Sequence, residues 1–296
     1  MSKYFILYNA KSGSEAGKQK AEEIEKYAGD AEVEYIDVTK VDDFAALFEK
    51  VTDDDTIVLC GGDGTLCHFA NDTYGMKYPK NLLFYSAGTG NDFYNDIGKK
   101  PGTEPVPVAK YLEHLPTVTV KGKDYKFING IGYGIDGYCC EVGDAQHAAG
   151  VKEVNYTSIA IKGLLFHFKP KNATVTVDGV TKKYKKAWLA PTMNGRYYGG
   201  GMIPTPDQDR LNNETVSVMV MYGKGKIKTL MVFPSIFKGE HINHKEMVDV
   251  LVGKEVKVEF DSPCALQIDG ETILDVSGYT VKAYAPAKVE EPAAAL

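Results

Sequence analysis

Thr56-Ile57-Val58-Leu59-Cys60-Gly61-Gly62-Asp63-Gly64-Thr65 is an apolar, β-rich run that breaks into a glycine-rich turn, and LCHFANDTY (66–74) after it reads as a helix. Glycine lets a phosphate approach backbone N–H groups, and a helix N-terminus adds a favourable dipole, so strand, GGDGT and helix together make a phosphate cradle. The same residues would also serve as a tight turn in which Asp63 caps the helix. Two further polar loops favour the cradle. Asn9-Ala10-Lys11-Ser12-Gly13 closes the strand YFILYN (4–9), and Ser86-Ala87-Gly88-Thr89-Gly90-Asn91-Asp92-Phe93 closes the strand LLFYSAG (82–88). With VEYIDV (33–38) as another strand and helices over about 15–28 and 42–51, the order is βαβα. That order predicts a parallel sheet with right-handed crossovers and a ligand crevice beyond the carboxyl ends of its strands, where all three loops lie.

From about Thr117 the pattern becomes β-rich: TVTV, YKFING, ATVTVDG, KKAWLAPTMNG, ETVSVMVM, EVKVEF, ALQIDGE and YTVKAYA. Antiparallel pairing is the natural arrangement, with Asp178-Gly179 as a hairpin turn. Two apolar helical stretches, about 155–168 and 226–238, suit a core or the wall of a greasy pocket. The expected organisation is therefore a nucleotide-binding α/β domain over 1–124 and a β-rich domain over 125–286. The low-complexity end, 287–296, is expected to be disordered.

The chain has 296 residues, 44% of them hydrophobic, and a formal net charge of −6. A length of that order suits two domains of ordinary size. No apolar run is long enough to span a membrane, and MSKYFILYNAKSG lacks the pattern of a signal peptide. Five cysteines without a CxxC spacing suit neither a disulfide framework nor a zinc knuckle and point to the reducing cytosol. Only Arg196 and Arg210 are arginines, so bidentate reading of bases or phosphates is scarce and nucleic acid is not an expected partner. The lysine run 182–186 is read first as a solvated strand edge and second as a membrane contact.

Familiar nucleotide signatures do not fit. Gly13 to Gln19 has three residues between its glycines and Gln after Lys, which a Walker A loop does not allow. Gly132-Tyr133-Gly134-Ile135-Asp136-Gly137 spells GxGxxG but lies in the β-rich half without an evident βαβ unit. Of the Asp-Gly dipeptides, only that in Gln267-Ile268-Asp269-Gly270-Glu271 continues to Glu, placing two carboxylates on either side of a bend where they could share a cation or divide base and metal roles. A hairpin with two solvated acids is the alternative. The histidines show no metal spacing, and His241 with His244 reads as a solvated pair.

Taken in order, NAKSG, GGDGT, SAGTGNDF, NGRYYGGGM and QIDGE resemble the diacylglycerol kinase catalytic family, which includes bacterial lipid kinases and the sphingosine and ceramide kinases, with NAD kinases more distant. The resemblance spans nearly the whole chain. It implies a three-layer α/β nucleotide domain and an antiparallel β-sandwich with a few helices, with a lipid pocket between them. Carried over residue by residue, it implies nucleotide contacts from Asn9, Ser12, Gly13, Gly61, Gly62, Asp63, Gly64, Thr65, Gly88, Thr89, Asn91 and Asp92. Asp269, Glu271 and Asp63 become the catalytic candidates, with Asp269 the first choice of base and Asp63 the second. Asp63, Asp92, Asp136 and Glu271 are candidates for holding Mg²⁺ directly or through water. Two departures stand out: Asn9-Ala10 replaces the family's common Asn-Pro, and after GGGM the acids of Asp207 to Glu214 are displaced from the family's metal-binding Asp-Asp-Gly stretch.

The implied reaction moves the γ-phosphoryl group of ATP to a lipid hydroxyl, with diacylglycerol the first acceptor considered and peripheral, transient contact with the membrane. A homodimer is left open. The competing readings are a soluble-substrate kinase of the NAD kinase type and a catalytically idle relative that only binds lipid or nucleotide.

Overall fold

The computed structural model describes residues 2–10, 17–88, 90–151, 154–211 and 214–284, with the Thr157 side chain set aside. Ser12, Gly13, Thr89 and the 287–296 end fall outside the described residues. The first half runs β1 (Lys3–Tyr8), α1 (Gly17–Glu22), β2 (Glu32–Asp37), α2 (Phe44–Glu49), β3 (Thr56–Gly61), α3 (Asp63–Asp72), β4 (Leu82–Ser86), α4 (Asp92–Asp96), β5 (Val106–Pro107) and α5 (Ala109–Leu112). Its sheet has the order β2-β1-β3-β4-β5, parallel except for β5.

Strand residues of alternate parity bury on opposite faces of this sheet. Phe5, Leu7, Ile57, Leu59 and Phe84 meet Phe44, Leu66 and Phe69 from α2 and α3 on one face. Tyr4, Ile6, Val58, Cys60 and Tyr85 meet Ala21 and Ile24 on the other. Burial on both faces is why these strands read as nearly unbroken apolar runs, and it makes the domain three-layered. Asp43 caps α2 by accepting from Ala46 N at 3.0 Å, whereas α3 begins at Gly62 with no side-chain cap.

The second half contains β6 (Thr117–Val120), β7 (Lys123–Lys126), β8 (Gly130–Tyr133), α6 (Ile135–Ala148), α7 (Tyr156–Lys162), a π-turn (Gly163–His167), β9 (Lys171–Val177), β10 (Val180–Ala187), β11 (Thr192–Met193), β12 (Val216–Met221), α8 (Lys226–Val232), β13 (Val248–Gly253), β14 (Glu255–Ile268) and β15 (Glu271–Lys282). Sheet membership changes at Thr117, inside the segment that composition alone assigns to the first domain. The strands form one antiparallel sheet, β13-β12-β11-β8-β14-β15-β6-β7, with β9 added to β14 and β10 to β9. β14 pairs with β9 through Val256–Phe260 and with β8 through Leu266–Ile268, and its register breaks in between. This long strand therefore bends and folds the sheet over one core of Val175, Tyr184, Val218, Val258, Val281 and their neighbours. β10 is an edge strand whose lysines are exposed, as the solvated-edge reading requires.

α6 is not foreseen in the sequence. Gly134 leaves β8 with φ of 101° and opens the helix, and a Cβ on Gly137 would collide with the Ala265 carbonyl of β14. Glycines that admit a helix so close to a strand also interrupt its apolar periodicity, which hides it in the sequence. The stretches near 155–168 and 226–238 do fold as helical segments, the first as α7 and the π-turn, the second as α8 and a 3-10 turn over Phe233–Lys238. Their inner faces close a core with α6, Trp188 and Met221.

Candidate functional site

The crevice is built from the glycines of two adjacent loops. A Cβ on Gly88 would lie 2.6 Å from the Gly62 Cα, so the loops after β3 and β4 touch backbone to backbone. Gly61 packs under Thr65, and Gly64 faces open space. With no side chain capping α3, the N–H groups of its first turn remain available to an anionic ligand. Asn9, at the end of β1, reaches the same turn by donating from Nδ2 to Thr65 Oγ1 at 3.3 Å.

Asp63 spans the two loops. Its carboxylate accepts from Asp92 N at 2.9 Å and Phe93 N at 3.0 Å, anchoring the start of α4 to the start of α3. Asn91 sits in the left-handed region at φ 55° and pairs with Ser86 Oγ, completing the turn. Asp92 reaches the other domain, accepting from Gly200 N at 2.8 Å and Gly201 N at 2.7 Å. Burial and the neighbouring Asp63 and Asp269 charges push its pKa up to about 7 against the opposing glycine N–H groups.

The QIDGE hairpin docks on the second turn of α3. Asp269 (φ 46°) and Gly270 (φ 99°) form its tip. The Asp269 carboxylate accepts from Ile128 N, from Asn129 N at 2.9 Å and from Gly130 N at 2.9 Å, and it faces the Cys67 thiol. Burial raises its pKa although those N–H groups pull the other way. Glu271 stands at the exposed rim, where His68 Nε2 lies 3.2 Å from its Oε1. The hydrogen bond to His68 lowers the Glu271 pKa, and the reciprocal bond raises that of His68.

Of the four acids expected to hold Mg²⁺, Asp63 and Asp92 lie together beside Gly90, whereas Asp136 and Glu271 share no hydrogen bond with them. Asp136 lies on α6, buried, with Tyr198 Oη donating to its carboxylate, and it shares no hydrogen bond with Asp63, Asp92 or Glu271. Burial pushes its pKa up to about 7. Asp63 and Asp92 each have both oxygens occupied by backbone N–H groups, and Glu271 is paired at the rim. Among the described residues, no group of three or more His, Cys, Asp or Glu side chains is arranged to ligate a metal ion. These side chains do not fit a direct-ligand metal site.

Two contacts join motif residues to residues outside the motifs. Both arginines converge on Asp96 at the end of α4: Arg196 N and Nε donate to Oδ1 at 3.0 and 2.9 Å, and buried Arg210 donates to Oδ2, to Ile128 O at 3.1 Å and to Asn129 Oδ1 at 3.0 Å. Their rarity was the only available signal, since nothing local ties residue 96 to 196 or 210. His68 was missed because its partner is 203 residues away. His241, expected to be solvated, is fully buried and bonds through Nε2 to Pro204 O at 3.0 Å. Among the described residues, no helix is long and apolar enough to cross a membrane.

Comparison with known proteins covers both halves. Residues 3–120 match the diacylglycerol kinase catalytic domain, and residues 129–289 match the YegS C-terminal NAD kinase beta sandwich-like domain. A diacylglycerol kinase of Mycobacterium tuberculosis is 27% identical over 223 residues, 73% of this chain and 69% of that protein. A Staphylococcus epidermidis protein provisionally named a lipid kinase is 28% identical over 239 residues, 76% of this chain and 72% of its own length. A diacylglycerol kinase crystal structure from Bacillus anthracis superposes with a TM-score of 0.61 at 20% identity, over 97% of this chain and 98% of that one, so the fold is shared. Matched domains in the same order, the shared two-domain fold and the convergence of GGDG, GND, GGG and DGE around one crevice lead to one assignment: the chain belongs to the diacylglycerol kinase catalytic-domain family of lipid kinases.

Proposed function

We propose that this lipid kinase transfers the γ-phosphoryl group of ATP to the free hydroxyl of diacylglycerol, giving phosphatidic acid and ADP. The observation that carries this reading is the backbone contact of Gly62 with Gly88 beside the uncapped start of α3, a surface of N–H donors facing the DGE hairpin. Polyphosphate needs such donors without side chains in the way.

In the transfer, the lipid oxygen attacks the γ-phosphorus and a new P–O bond forms. The bond to the β–γ bridging oxygen breaks, and the hydroxyl proton passes to a base. Asp269 is the better candidate for that base. Burial raises its pKa above that of an ordinary carboxylate, which makes it the stronger base. Asp63, with each oxygen bonded across to α4, acts as a strut that keeps the two nucleotide loops in register. Gly61 to Thr65, Gly88, Asn91 and Asn9 shape the phosphate side, Asp92 ties that side to the second domain, and Glu271 guards the rim. Ser12, Gly13 and Thr89 keep their proposed nucleotide contacts on the resemblance alone.

The test supplies γ-labelled ATP with vesicles containing diacylglycerol, phosphatidylglycerol, a sphingoid base or undecaprenol, or with NAD in solution, and resolves products by chromatography. Label in phosphatidic acid is expected. Label in another lipid moves the acceptor, label in NADP favours the soluble-substrate reading, and no label anywhere leaves the chain as a binding relative.

A further inference from the structure

Phe166, Ile227 and Met231 are 72%, 76% and 71% exposed, more than the other large hydrophobic side chains among the described residues. They are neighbours in space. Lys226 Nζ donates to Leu165 O at 2.6 Å, fastening the first turn of α8 to the π-turn that carries Phe166. On the inward side, Ile159, Ala160 and Leu164 pack with Val232, Phe233 and Ile236 in one cluster. Ile161 and Phe237, on the same two segments, are also exposed. An apolar face of this kind, rimmed by polar groups, marks a surface that meets another body.

Its charge says which body. Segments 154–170 and 222–239 together contain six lysines, Lys162, Lys169, Lys224, Lys226, Lys228 and Lys238, and no Asp or Glu, in a chain of net charge −6. Opposing charges stand beside it: Glu246, shared by Lys228 at 3.7 Å and His244 at 3.5 Å, Glu240 on the following turn, and Glu141 and Asp144 on α6, which packs against α7. Exposed aromatic and aliphatic side chains on lysine-bearing segments are what an anionic bilayer accepts: the apolar groups enter the headgroup boundary and the ammonium groups meet lipid phosphates.

We propose that the face formed by α7, the π-turn and α8 docks this protein on anionic lipid bilayers. The proposal rests on the acceptor being a membrane lipid, as read above. It displaces the lysine run on β10 as the membrane contact, because those lysines lie along a strand edge, Lys182 is paired with Asp249 at 3.0 Å, and the large exposed apolar residue within β10 is Val180.

The test is vesicle flotation of the full chain with phosphatidylcholine alone and with about 30 mol% phosphatidylglycerol added. It runs beside ATP turnover on a short-chain, water-soluble diacylglycerol in vesicle-free buffer. The wild type is expected to float with the anionic vesicles. Phe166→Ser/Ile227→Ser/Met231→Ser is expected to lower the bound fraction at least tenfold, roughly the loss of one apolar anchor set. Lys162→Gln/Lys169→Gln/Lys238→Gln should remove the preference for phosphatidylglycerol. Both variants should retain wild-type melting and wild-type turnover of the soluble acceptor. Flotation of the apolar triple variant equal to wild type, or a wild type that floats with neither vesicle, overturns the proposal. So does a triple variant that floats normally but changes from dimer to monomer in sedimentation, since the face would then join copies of this chain. Flotation that depends on these residues in a protein phosphorylating no lipid would leave the docking face standing and reject the acceptor assignment.

Discussion

Asp178-Gly179 and Asp269-Gly270 are two hairpin tips of the same construction in very different places. Both place Asp and then Gly at positive φ, 48° and 83° in the first, 46° and 99° in the second. Both aspartates use their carboxylates to hold backbone N–H groups of a neighbouring segment: Asp178 accepts from Lys254 N at 2.9 Å and Glu255 N at 2.8 Å, Asp269 from residues 128, 129 and 130. Asp178 does this at an exposed position on the β9–β10 hairpin. Asp269 does it inside the seam between the domains, beside Cys67 and close enough to Asp92 to raise its pKa. The comparison teaches that the dipeptide specifies a turn and a clamp, and that burial among other acids is what makes one clamp a candidate for chemistry.

The sharpest way to break the comparison is to neutralise both aspartates. Asp269→Asn should lower kcat by about 10²–10⁴-fold with nucleotide KM nearly unchanged, because the amide keeps the shape but cannot accept a proton. Asp178→Asn should leave kcat within roughly twofold. Equal effects in steady-state assays would show that both turns are structural and would return the base to Asp63.

A second carboxylate of the seam should matter for stability instead. Asp96→Ala leaves Arg210 buried without its partner, and chemical denaturation should show a loss of about 3–5 kcal/mol. A loss under about 1 kcal/mol would mean that water replaces the carboxylate and that the seam is wetter than its geometry indicates.

The raised acids set the pH response. Asp92 and Asp136 have folded-state values of about 7, above the ordinary carboxylate range, so the native state binds more protons than the unfolded chain between about pH 4 and 7. Stability is therefore fully favoured by these groups below pH 4 and declines as pH rises toward 7. Asp136→Asn should flatten that decline by on the order of 2–4 kcal/mol, measured as the change in unfolding free energy between pH 5 and 8. No flattening would place Asp136 in a better-solvated setting.

Glycine gives a smaller contrast. Gly88→Ala drives a methyl group into Gly62 and should raise nucleotide KM by about 10–100-fold, or roughly 1.4–2.7 kcal/mol, without lowering the melting temperature in proportion. Gly179→Ala meets no atom within 4 Å but must hold φ at 83°, and should cost about 1 kcal/mol of stability with no change in KM. The smallest effect belongs to the rim. His68→Gln removes an exposed pairing that strengthens as pH falls through the raised His68 value and weakens again as Glu271 protonates below its lowered value. Its stability change, read by denaturation near pH 6, should stay below about 0.5 kcal/mol.

The sequence by itself determined the parallel α/β half, the antiparallel half, the Asp178 hairpin and the glycine loops, because each is written in local periodicity or in residues demanded by a turn within a few positions. The family resemblance of those loops also marked Asp63, Asp92 and Asp269, which as turn, cap and hairpin residues alone would have remained ambiguous. Tertiary structure decided what those acids bond to. Asp63 spans to α4, Asp92 to Gly200 and Gly201, and Asp269 to residues 128–130 leading into β8, all contacts between residues far apart in the chain. It separated Asp136 from the expected metal cluster, revealed α6 behind its glycines, buried His241, paired His68 with Glu271 and gathered both arginines on Asp96. Local sequence fixes backbone conformation through short-range sterics, whereas a side chain's partner depends on which segments pack together, and that is set by the summed burial of two whole sheets.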